Sequence, residues 1–211
     1  MKSIPSLPGQ PPAGAVFLDR DGTIIEEVNY LSRLEDLRLL PHAATAIARL
    51  NRKKIPVILV SNQSGVARGK FDEDFVRACH GRLQELLHRE GAQINAFYFC
   101  PHHPEAGSPP YRKVCDCRKP APGMLLEAAR DHHLDLQHSF VIGDKLCDLE
   151  LARNAGAQSI LVLTGYGQDE KPRLAQYGLR PAAVCADLDE AITWLLPQME
   201  ERGRDRKPCR N

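Results

Sequence analysis

The stretch Ala-Val-Phe-Leu-Asp-Arg-Asp-Gly-Thr at residues 15–23 changes abruptly from apolar to polar side chains. A short apolar run of this kind is typical of a buried strand, and the polar residues after it are typical of a loop. Asp19 and Asp21 stand two residues apart, so in an extended segment their carboxylates point the same way. The stretch therefore predicts a buried strand that delivers two acidic side chains to one end of a sheet.

Further apolar runs end in polar loops in the same way, at residues 57–60, 97–99, 140–142 and 160–163. Helical periodicity predicts helices over residues 43–50, 72–89, 123–132, 146–154 and 188–196. Strands alternating with helices favour a Rossmann-like α/β fold, an open parallel sheet in a three-layer α/β/α arrangement. In such a sheet, ligands bind at the carboxyl ends of the strands.

Composition excludes several classes of protein. Of 211 residues, 43% are hydrophobic and 26% charged, as in an ordinary globular protein. The 28 Lys and Arg residues nearly balance the 27 Asp and Glu residues, so no overall field draws the chain to nucleic acid or to an anionic membrane. The longest apolar stretch, residues 55–60, is far shorter than the ~20 residues of a membrane helix. We expect a cytoplasmic monomer with neither nucleic-acid nor membrane partners.

The distribution of prolines and charges predicts the domain boundaries. Pro5, Pro8, Pro11 and Pro12 interrupt any signal-peptide apolar region, so residues 1–14 are expected to form a flexible lead. Residues 15–198 are expected to form a single domain and residues 199–211 a charged, solvated tail. Only about twenty residues separate Thr23 from the first helix, which leaves no room for a separate cap domain.

Two further acids are predicted to lie near Asp19 and Asp21. Asp144 follows the fourth apolar run, and Asp148 comes four residues later. Clustered carboxylates repel one another and need a cation, and a hard divalent ion such as Mg²⁺ prefers their oxygens. Ser61 and Lys119 are natural contacts for an anion at the same edge. Taken alone, the pair Asp19 and Asp21 is better explained by helix caps or solvated loop residues than by a catalytic site.

The cysteines indicate a second metal site. Seven cysteines is an odd number, and Cys100, His102, Cys115 and Cys117 form the pattern C-x-H-x₁₂-C-x-C. Three thiolates and one imidazole suit a closed, structural Zn²⁺ site that staples a loop insertion over residues 100–117. We prefer His102 to His103 because it repeats the one-residue spacing of Cys115 and Cys117. Unrelated thiols, or a zinc ribbon that binds nucleic acid, are the alternatives.

Four motifs taken in order resemble those of the haloacid-dehalogenase-like (HAD) phosphatases. They are Asp-Arg-Asp-Gly-Thr at 19–23, Ser61 in Val-Ser-Asn-Gln-Ser-Gly, Lys119 in Arg-Lys-Pro, and Gly-Asp-Lys-Leu-Cys-Asp at 143–148. The resemblance implies that Asp19 is a nucleophile, Asp21 an acid and base, and Ser61 and Lys119 ligands of the phosphoryl oxygens. It also implies a Mg²⁺ site formed by Asp19, Asp144 and the main-chain carbonyl of Asp21, with Asp148 orienting a bound water or Lys119.

Within this family, the zinc loop resembles two branches, the D-glycero-D-manno-heptose-1,7-bisphosphate 7-phosphatases and the histidinol-phosphate phosphatases. Residues 61–71, 100–104 and 115–126 resemble the sequences of the heptose branch at nearly every position. The resemblance implies removal of the 7-phosphate from a small sugar bisphosphate, on the way to nucleotide-activated heptose for surface glycans. It implies that substrate contacts Glu27, Val28, Asn29, Tyr30, Asn62, Gln63, Ser64, Arg118 and Lys145.

Two other functions stay open on sequence grounds. One is a histidinol-phosphate phosphatase, and the other is a signalling receiver that stores an aspartyl-phosphate. Arg118 is the predicted reader of a distal phosphate because its guanidinium matches phosphate geometry. Asp21 distinguishes a phosphatase from a receiver, since an acid and base two residues beyond the nucleophile should hydrolyse the intermediate instead of storing it.

Overall fold

A six-stranded parallel sheet forms the centre of the computed structural model, which describes residues 12–205 and side chains as far as residue 201. Its order is β3-β2-β1-β4-β5-β6. The strands are β1 (Val16–Leu18), β2 (Val57–Asn62), β3 (Ala96–Cys100), β4 (Phe140–Gly143), β5 (Gln158–Val162) and β6 (Ala183–Cys185). Val16 of β1 pairs with Val57 on one side and with Phe140 on the other. The chain reverses its winding direction between β1 and β4, which is where ligands bind in doubly wound sheets.

Helices cover both faces of the sheet. They are α1 (Ala43–Arg52), α2 (Glu73–Arg89), α3 (Gly123–His132), α4 (Leu146–Ala155), the single turn α5 (Gly167–Glu170) and α6 (Leu188–Asp205). The N-terminus of α2 is capped by a side chain: Asp72 accepts a 2.7 Å hydrogen bond from the Phe75 N–H.

Alternation along β1 divides the core into two layers. Val16 and Leu18 belong to the apolar cluster that contains buried residues of α1, α2 and α6. Phe17 points to the opposite face and packs in the cluster that contains buried residues of α3 and α4. The predicted three-layer α/β/α fold is confirmed.

The structure also corrects the sequence predictions. The sequence predicts five strands, but the sheet has a sixth, β6, a three-residue edge strand that lies within the apolar residues 182–186. The helix predicted to end at Leu196 continues through Pro197 to Asp205. Met199 packs against the core and Glu200 forms a 2.7 Å ion pair with Lys53, and these contacts hold the turns beyond the proline.

The ends of the chain are described only in part. Ala13, expected in the flexible lead, forms a bridge to Leu134, and its carbonyl accepts a hydrogen bond from the Asp135 N–H. The rest of the predicted lead, residues 1–11, and residues 206–211 of the predicted tail lie outside the described part of the chain. The expected domain boundaries therefore stay a prediction.

Long loops cover the carboxyl edge of the sheet. They span residues 19–42 and 101–122, and within the described residues neither folds into a separate domain. None of the helices in residues 12–205 combines the length and the apolarity that a membrane span needs.

Candidate active site

The predicted catalytic side chains meet above the carboxyl ends of β1, β2 and β4. Asp19 follows β1, Asp144 follows β4, and Ser61 lies one residue before the end of β2. Asp19 and Ser61 border a cavity of about 280 Å³, whereas Asp144 is fully buried and is not part of its lining. Its lining includes these predicted site residues: Asp19, Asp21, Glu27, Asn29, Tyr30, Ser61, Asn62, Gln63, Ser64, Arg118, Lys119 and Lys145. The predicted site thus assembles from stretches far apart in the chain.

Lys119 is buried between two carboxylates. Its Nζ lies 2.7 Å from Asp19 Oδ1, 2.6 Å from Asp148 Oδ1 and 3.1 Å from the Val60 carbonyl oxygen. Three acceptors match the three N–H donors of an ammonium group. Burial opposes the charged form, but the negative charges of Asp148 and Asp19 outweigh it and raise the pKa of Lys119. Lys119 therefore stays positively charged beside the predicted nucleophile.

The residues predicted to hold Mg²⁺ fit a hard cation. Carboxylate oxygens of Asp19, Asp144 and Asp148 lie within 4.8 Å of one another, and all three residues are buried. The Tyr166 N–H donates to Asp144 Oδ2 at 2.8 Å, whereas Asp144 Oδ1 is buried and has no hydrogen-bond partner among residues 12–205. Burial, with the charge of Asp19, raises the pKa of Asp144 to about 8. A cation beside Asp144 would satisfy the unpartnered oxygen and stabilise the ionised form.

Asp148 makes different contacts from Asp144. Its Oδ1 is paired with Lys119, and its Oδ2 accepts a 3.2 Å hydrogen bond from the Lys145 N–H at the start of α4. The ion pair with Lys119 does not have hydrogen-bond geometry at Oδ1, and Asp148 belongs to the same carboxylate group as Asp19 and Asp144. The role of Asp148 in orienting a bound water or Lys119 therefore stays a prediction.

Asp21 is held by two neighbours. The Arg20 guanidinium contacts both of its carboxylate oxygens at 3.0–3.2 Å, and Gln63 Nε2 donates to Oδ2 at 3.0 Å. Burial favours the neutral acid, but the charge of Arg20 outweighs burial and lowers the pKa of Asp21. The predicted acid and base is thus a carboxylate with a fixed orientation.

Two amides in the loop after β2 position the groups around the cavity. Gln63 Nε2 donates to Ser61 Oγ at 2.6 Å, which leaves the Ser61 hydroxyl hydrogen available for another acceptor. Asn62 Nδ2 donates to the Lys119 carbonyl at 3.1 Å, and Asn62 Oδ1 accepts from the Lys119 N–H at 3.0 Å. Asn62, predicted as a substrate contact, therefore clamps the main chain of Lys119.

The loop at residues 27–30 forms one wall of the cavity. Lys145 Nζ pairs with Glu27 at 2.9 Å and lies 4.4 Å from the centre of the Tyr166 ring. Asn29 and Tyr30 have positive φ angles of 49° and 78°, which turn the loop sharply. Val28, predicted to touch substrate, is 42% exposed and is not part of the cavity lining.

The cysteine loop brings together the four predicted ligands. Cys117 Sγ lies 3.2 Å from Cys100 Sγ, 3.3 Å from Cys115 Sγ and 3.3 Å from His102 Nδ1. These separations approach the roughly 3.5–3.8 Å edges of a tetrahedron built with zinc–sulfur and zinc–nitrogen bonds. The hydrogen bond between Cys100 and Cys117 lowers the pKa of Cys117 to about 5 and raises the pKa of Cys100, so without a metal ion the thiolate charge lies on Cys117. This cluster could hold a metal ion.

The ring of His103, the alternative ligand, has other partners. Its Nδ1 accepts hydrogen bonds from the N–H groups of Glu105 and Ala106, and its Nε2 lies 3.0 Å from the Arg68 guanidinium. The structure therefore agrees with the preference for His102.

Three lining side chains were not predicted as site residues. Arg20 stands between the two predicted acids, Cys147 lies in the motif at residues 143–148, and Tyr166 lies beyond the four motifs. Of these three residues, only Arg20 could have been predicted from the sequence, because it lies between the two acids of the Asp-x-Asp motif.

Comparisons with known proteins agree with this geometry. The HAD-hydrolase-like family matches residues 116–191. A D-glycero-D-manno-heptose-1,7-bisphosphate 7-phosphatase of Thermosynechococcus vestitus is 46% identical over 195 residues, which cover 90% of this chain and 100% of the relative. The Escherichia coli K12 D-glycero-beta-D-manno-heptose-1,7-bisphosphate 7-phosphatase is 39% identical over 153 residues, 72% of this chain and 80% of that relative.

A solved structure is similar as well. The crystal structure of D,D-heptose 1,7-bisphosphate phosphatase from B. bronchiseptica, complexed with magnesium and phosphate, has a TM-score of 0.78 and 36% identity, covering 88% of this chain and 99% of that one. The alternatives, a histidinol-phosphate phosphatase and a receiver module, find no support in these comparisons. The chain belongs to the family of D-glycero-D-manno-heptose-1,7-bisphosphate 7-phosphatases within the HAD-like hydrolases.

Proposed function

We propose that this chain is a Mg²⁺-dependent phosphatase that removes the 7-phosphate of D-glycero-D-manno-heptose 1,7-bisphosphate in nucleotide-activated heptose biosynthesis. The observation that carries the proposal is the convergence of Asp19, Asp144 and Lys119 at the switch point between β1 and β4. Relatives and a solved structure with the same named activity support the choice of substrate.

Asp19 is the nucleophile in this proposal. Lys119 holds its Oδ1 at 2.7 Å, so the other oxygen is left to attack phosphorus. The bond from Asp19 to phosphorus forms as the bond from phosphorus to the sugar oxygen breaks, which gives an aspartyl-phosphate. Arg20 favours the carboxylate form of Asp21, so only the protonated fraction of the enzyme begins the cycle. Protonated Asp21 donates its proton to the departing oxygen and regains one from the water that hydrolyses the aspartyl-phosphate.

Ser61 and Lys119 stabilise the phosphoryl oxygens. Because the three N–H donors of Lys119 already have acceptors, Lys119 acts through its positive charge unless an incoming phosphoryl oxygen displaces one of those acceptors. The Ser61 hydroxyl accepts its hydrogen bond from Gln63 and can donate its own hydrogen to a phosphoryl oxygen. Asp19, Asp144 and the main-chain carbonyl of Asp21 would hold Mg²⁺. When bound, the ion screens the repulsion between the Asp19 carboxylate and the phosphate.

Arg118 is the proposed reader of the 1-phosphate. Its guanidinium donates a 3.1 Å hydrogen bond to the carbonyl oxygen of His102 and lies at the cavity wall. We propose that the ion in the neighbouring cluster is Zn²⁺, because three thiolates and one imidazole favour it, and that it is structural. Zinc would then hold the carbonyl to which Arg118 is anchored.

The proposal also includes the setting of the reaction. A small sugar bisphosphate is the substrate, and the enzyme acts as a cytoplasmic monomer without nucleic-acid partners. The formal charge of +1 supports the absence of nucleic acid.

Steady-state kinetics test this function. With Mg²⁺ present, we expect kcat/KM for the heptose bisphosphate to exceed that for histidinol phosphate by at least about tenfold, or roughly 1.4 kcal/mol of transition-state preference. Asp19→Asn should lower kcat by roughly a thousandfold or more, whereas Asp74→Asn, which changes an exposed acid on α2, should leave it unchanged. A preference for histidinol phosphate would refute the assigned substrate, and an active Asp19→Asn enzyme would refute the nucleophile.

A further inference from the structure

Arg20, the residue between the proposed nucleophile and the proposed acid and base, is buried and makes a concentrated set of contacts. Its Nε lies 3.2 Å and 3.1 Å from the two carboxylate oxygens of Asp21, and one terminal nitrogen lies 3.0 Å from Asp21 Oδ1. The same terminal nitrogen donates to Gln63 Oε1 at 3.0 Å. In the described part of the chain, the side-chain hydrogen bonds of Arg20 go to Asp21 and Gln63.

Gln63 closes the network. Its Nε2 donates both to Asp21 Oδ2 and to Ser61 Oγ, so the amide connects the proposed acid and base to the hydroxyl proposed to bind phosphate. Arg20 and Gln63 together contact both oxygens of Asp21 and restrict the rotation of its carboxylate. A change at Arg20 should therefore alter the position of Asp21 relative to Ser61.

Stability does not explain why an arginine occupies this position. Arg20 is only 2% exposed, and its other terminal nitrogen is buried without a partner among the described residues. Burying an incompletely paired guanidinium is costly, and replacing buried ion pairs by apolar residues is often neutral or stabilising. Packing therefore does not explain the arginine at position 20. A role in orienting the Asp21 carboxylate does explain it.

We propose that Arg20 is a positioning residue that orients the Asp21 carboxylate toward the leaving oxygen and the attacking water. This inference rests on the proposed function, because it assigns Arg20 an effect only through the chemistry of Asp21. Lysine would keep the charge but lose the planar fork that contacts both carboxylate oxygens. Arg20→Lys should therefore change the orientation of the Asp21 carboxylate while keeping a positive charge beside it.

A double-mutant cycle tests this effect. Arg20→Lys is measured in the wild-type and in the Asp21→Asn background, with 4-nitrophenyl phosphate because its leaving group needs no proton and residual activity can be followed. In the wild-type background we expect kcat to fall by about 10- to 100-fold, with KM for substrate and the half-saturating Mg²⁺ concentration changed by less than about threefold. In the Asp21→Asn background, the same change should alter kcat by less than about twofold.

Matched controls separate positioning from damage to the fold. Arg49→Lys changes another ion-paired arginine, which contacts Asp189 at 2.8 Å away from the cavity, and should leave kcat unchanged. If Arg20→Lys does not fold, Gln63→Asn interrupts the same network from its other side and takes its place in the cycle.

Each outcome bears on a different claim. Equal losses of kcat in both backgrounds of an active enzyme would refute the positioning role alone, as would a loss confined to KM or to Mg²⁺ affinity. A wild-type protein that hydrolyses neither the heptose bisphosphate nor 4-nitrophenyl phosphate would overturn the proposed function and this inference with it.

Discussion

Buried charged residues in this protein are stabilised by specific partners. Lys119 is neutralised by Asp19 and Asp148, and Arg20 pairs with Asp21. Removing one member of such a pair leaves an uncompensated charge in a low-dielectric environment, which is much more costly than losing an exposed ion pair. Asp144 differs from these residues because the described chain offers no cation to its Oδ1. That contrast is why the site suits a metal ion.

His80 is a buried polar residue on α2, outside the metal sites. Its ring stacks on Phe97 with centroids 4.9 Å apart, and its Nε2 has no partner among the described residues. Burial, helped by the positive charge of Arg20, lowers the pKa of His80 to about 3. An unfolded histidine titrates near 6.5, so the folded protein gains its full benefit from neutral His80 above that pH and loses it as the pH falls toward 3.

We therefore predict that His80→Phe flattens the acid side of the stability profile. Between pH 6.5 and 5, the free energy of unfolding of the wild-type protein should fall more steeply than that of the variant, by up to about 1.4 kcal/mol per pH unit. Urea unfolding at several pH values measures both slopes. His88→Gln, which changes an exposed histidine on the same helix, should keep the wild-type slope. Parallel profiles for wild type and His80→Phe would contradict the prediction.

At the scale of elements, the cysteine loop connects structure to specificity. Its four proposed ligands come from the end of β3 and from residues 115–117, and the loop leads directly into Arg118 and Lys119. Arg118 is anchored on the His102 carbonyl, and the main chain of Lys119 is clamped by Asn62. Lys119 therefore has an anchor outside the cysteine cluster, whereas Arg118 depends on a residue within it.

From this difference we predict how zinc loss affects catalysis. The double variant Cys115→Ser and Cys117→Ser should lose about one Zn²⁺ per chain, and its KM for the bisphosphate should rise by at least about tenfold, more than kcat falls. Elemental analysis and steady-state kinetics provide the two measurements. Cys185→Ser, at the buried end of β6, should retain the zinc. Loss of zinc with an unchanged KM would show that Arg118 does not need the metal ion in order to bind substrate.

At the scale of the whole molecule, the loops after β1, β4 and β5 pack against one another. The Thr164 hydroxyl donates to the Gly22 carbonyl at 2.6 Å, and the Tyr166 N–H donates to Asp144. Gly22 and Gly165 both lie so close to Asp144 Oδ2 that a Cβ atom at either position would overlap it. The absence of side chains at these two glycines leaves room for Asp144 at the proposed metal site.

Gly165→Ala should therefore weaken Mg²⁺ binding. The new methyl group would displace the Asp144 carboxylate, and we expect the Mg²⁺ concentration for half-maximal activity to rise at least about tenfold. Gly178→Ala is a matched control because Gly178 also has a positive φ, 60° against 53°, but has no atom within 4 Å of an added Cβ. Both variants lose roughly 1–2 kcal/mol of backbone stability, so an equal change in Mg²⁺ dependence would refute the steric explanation.

The sequence alone predicts the main features of the fold and of the candidate site. Apolar runs locate β1 to β5 because buried parallel strands need continuous hydrophobic residues. β6 also lies in an apolar run, residues 182–186, so the sequence contains the signal for this strand although the prediction omits it. The end of α6 is also missed, because the contacts of Met199 and Glu200 that outweigh Pro197 lie on distant parts of the chain.

What the sequence by itself determined is the chemistry available: two acids after a strand, a second pair of acids, a lysine, and three cysteines with a histidine. Those residue types and their spacings are local properties of the chain. Only the tertiary structure decided how the groups are divided among partners: that Asp148 is paired with Lys119, that Asn62 supports Lys119, that Val28 lies outside the cavity, and that Gln63 holds Asp21. The physical reason is that hydrogen bonds and ion pairs depend on distances between side chains, and those distances exist only after the sheet has brought separate loops to one edge.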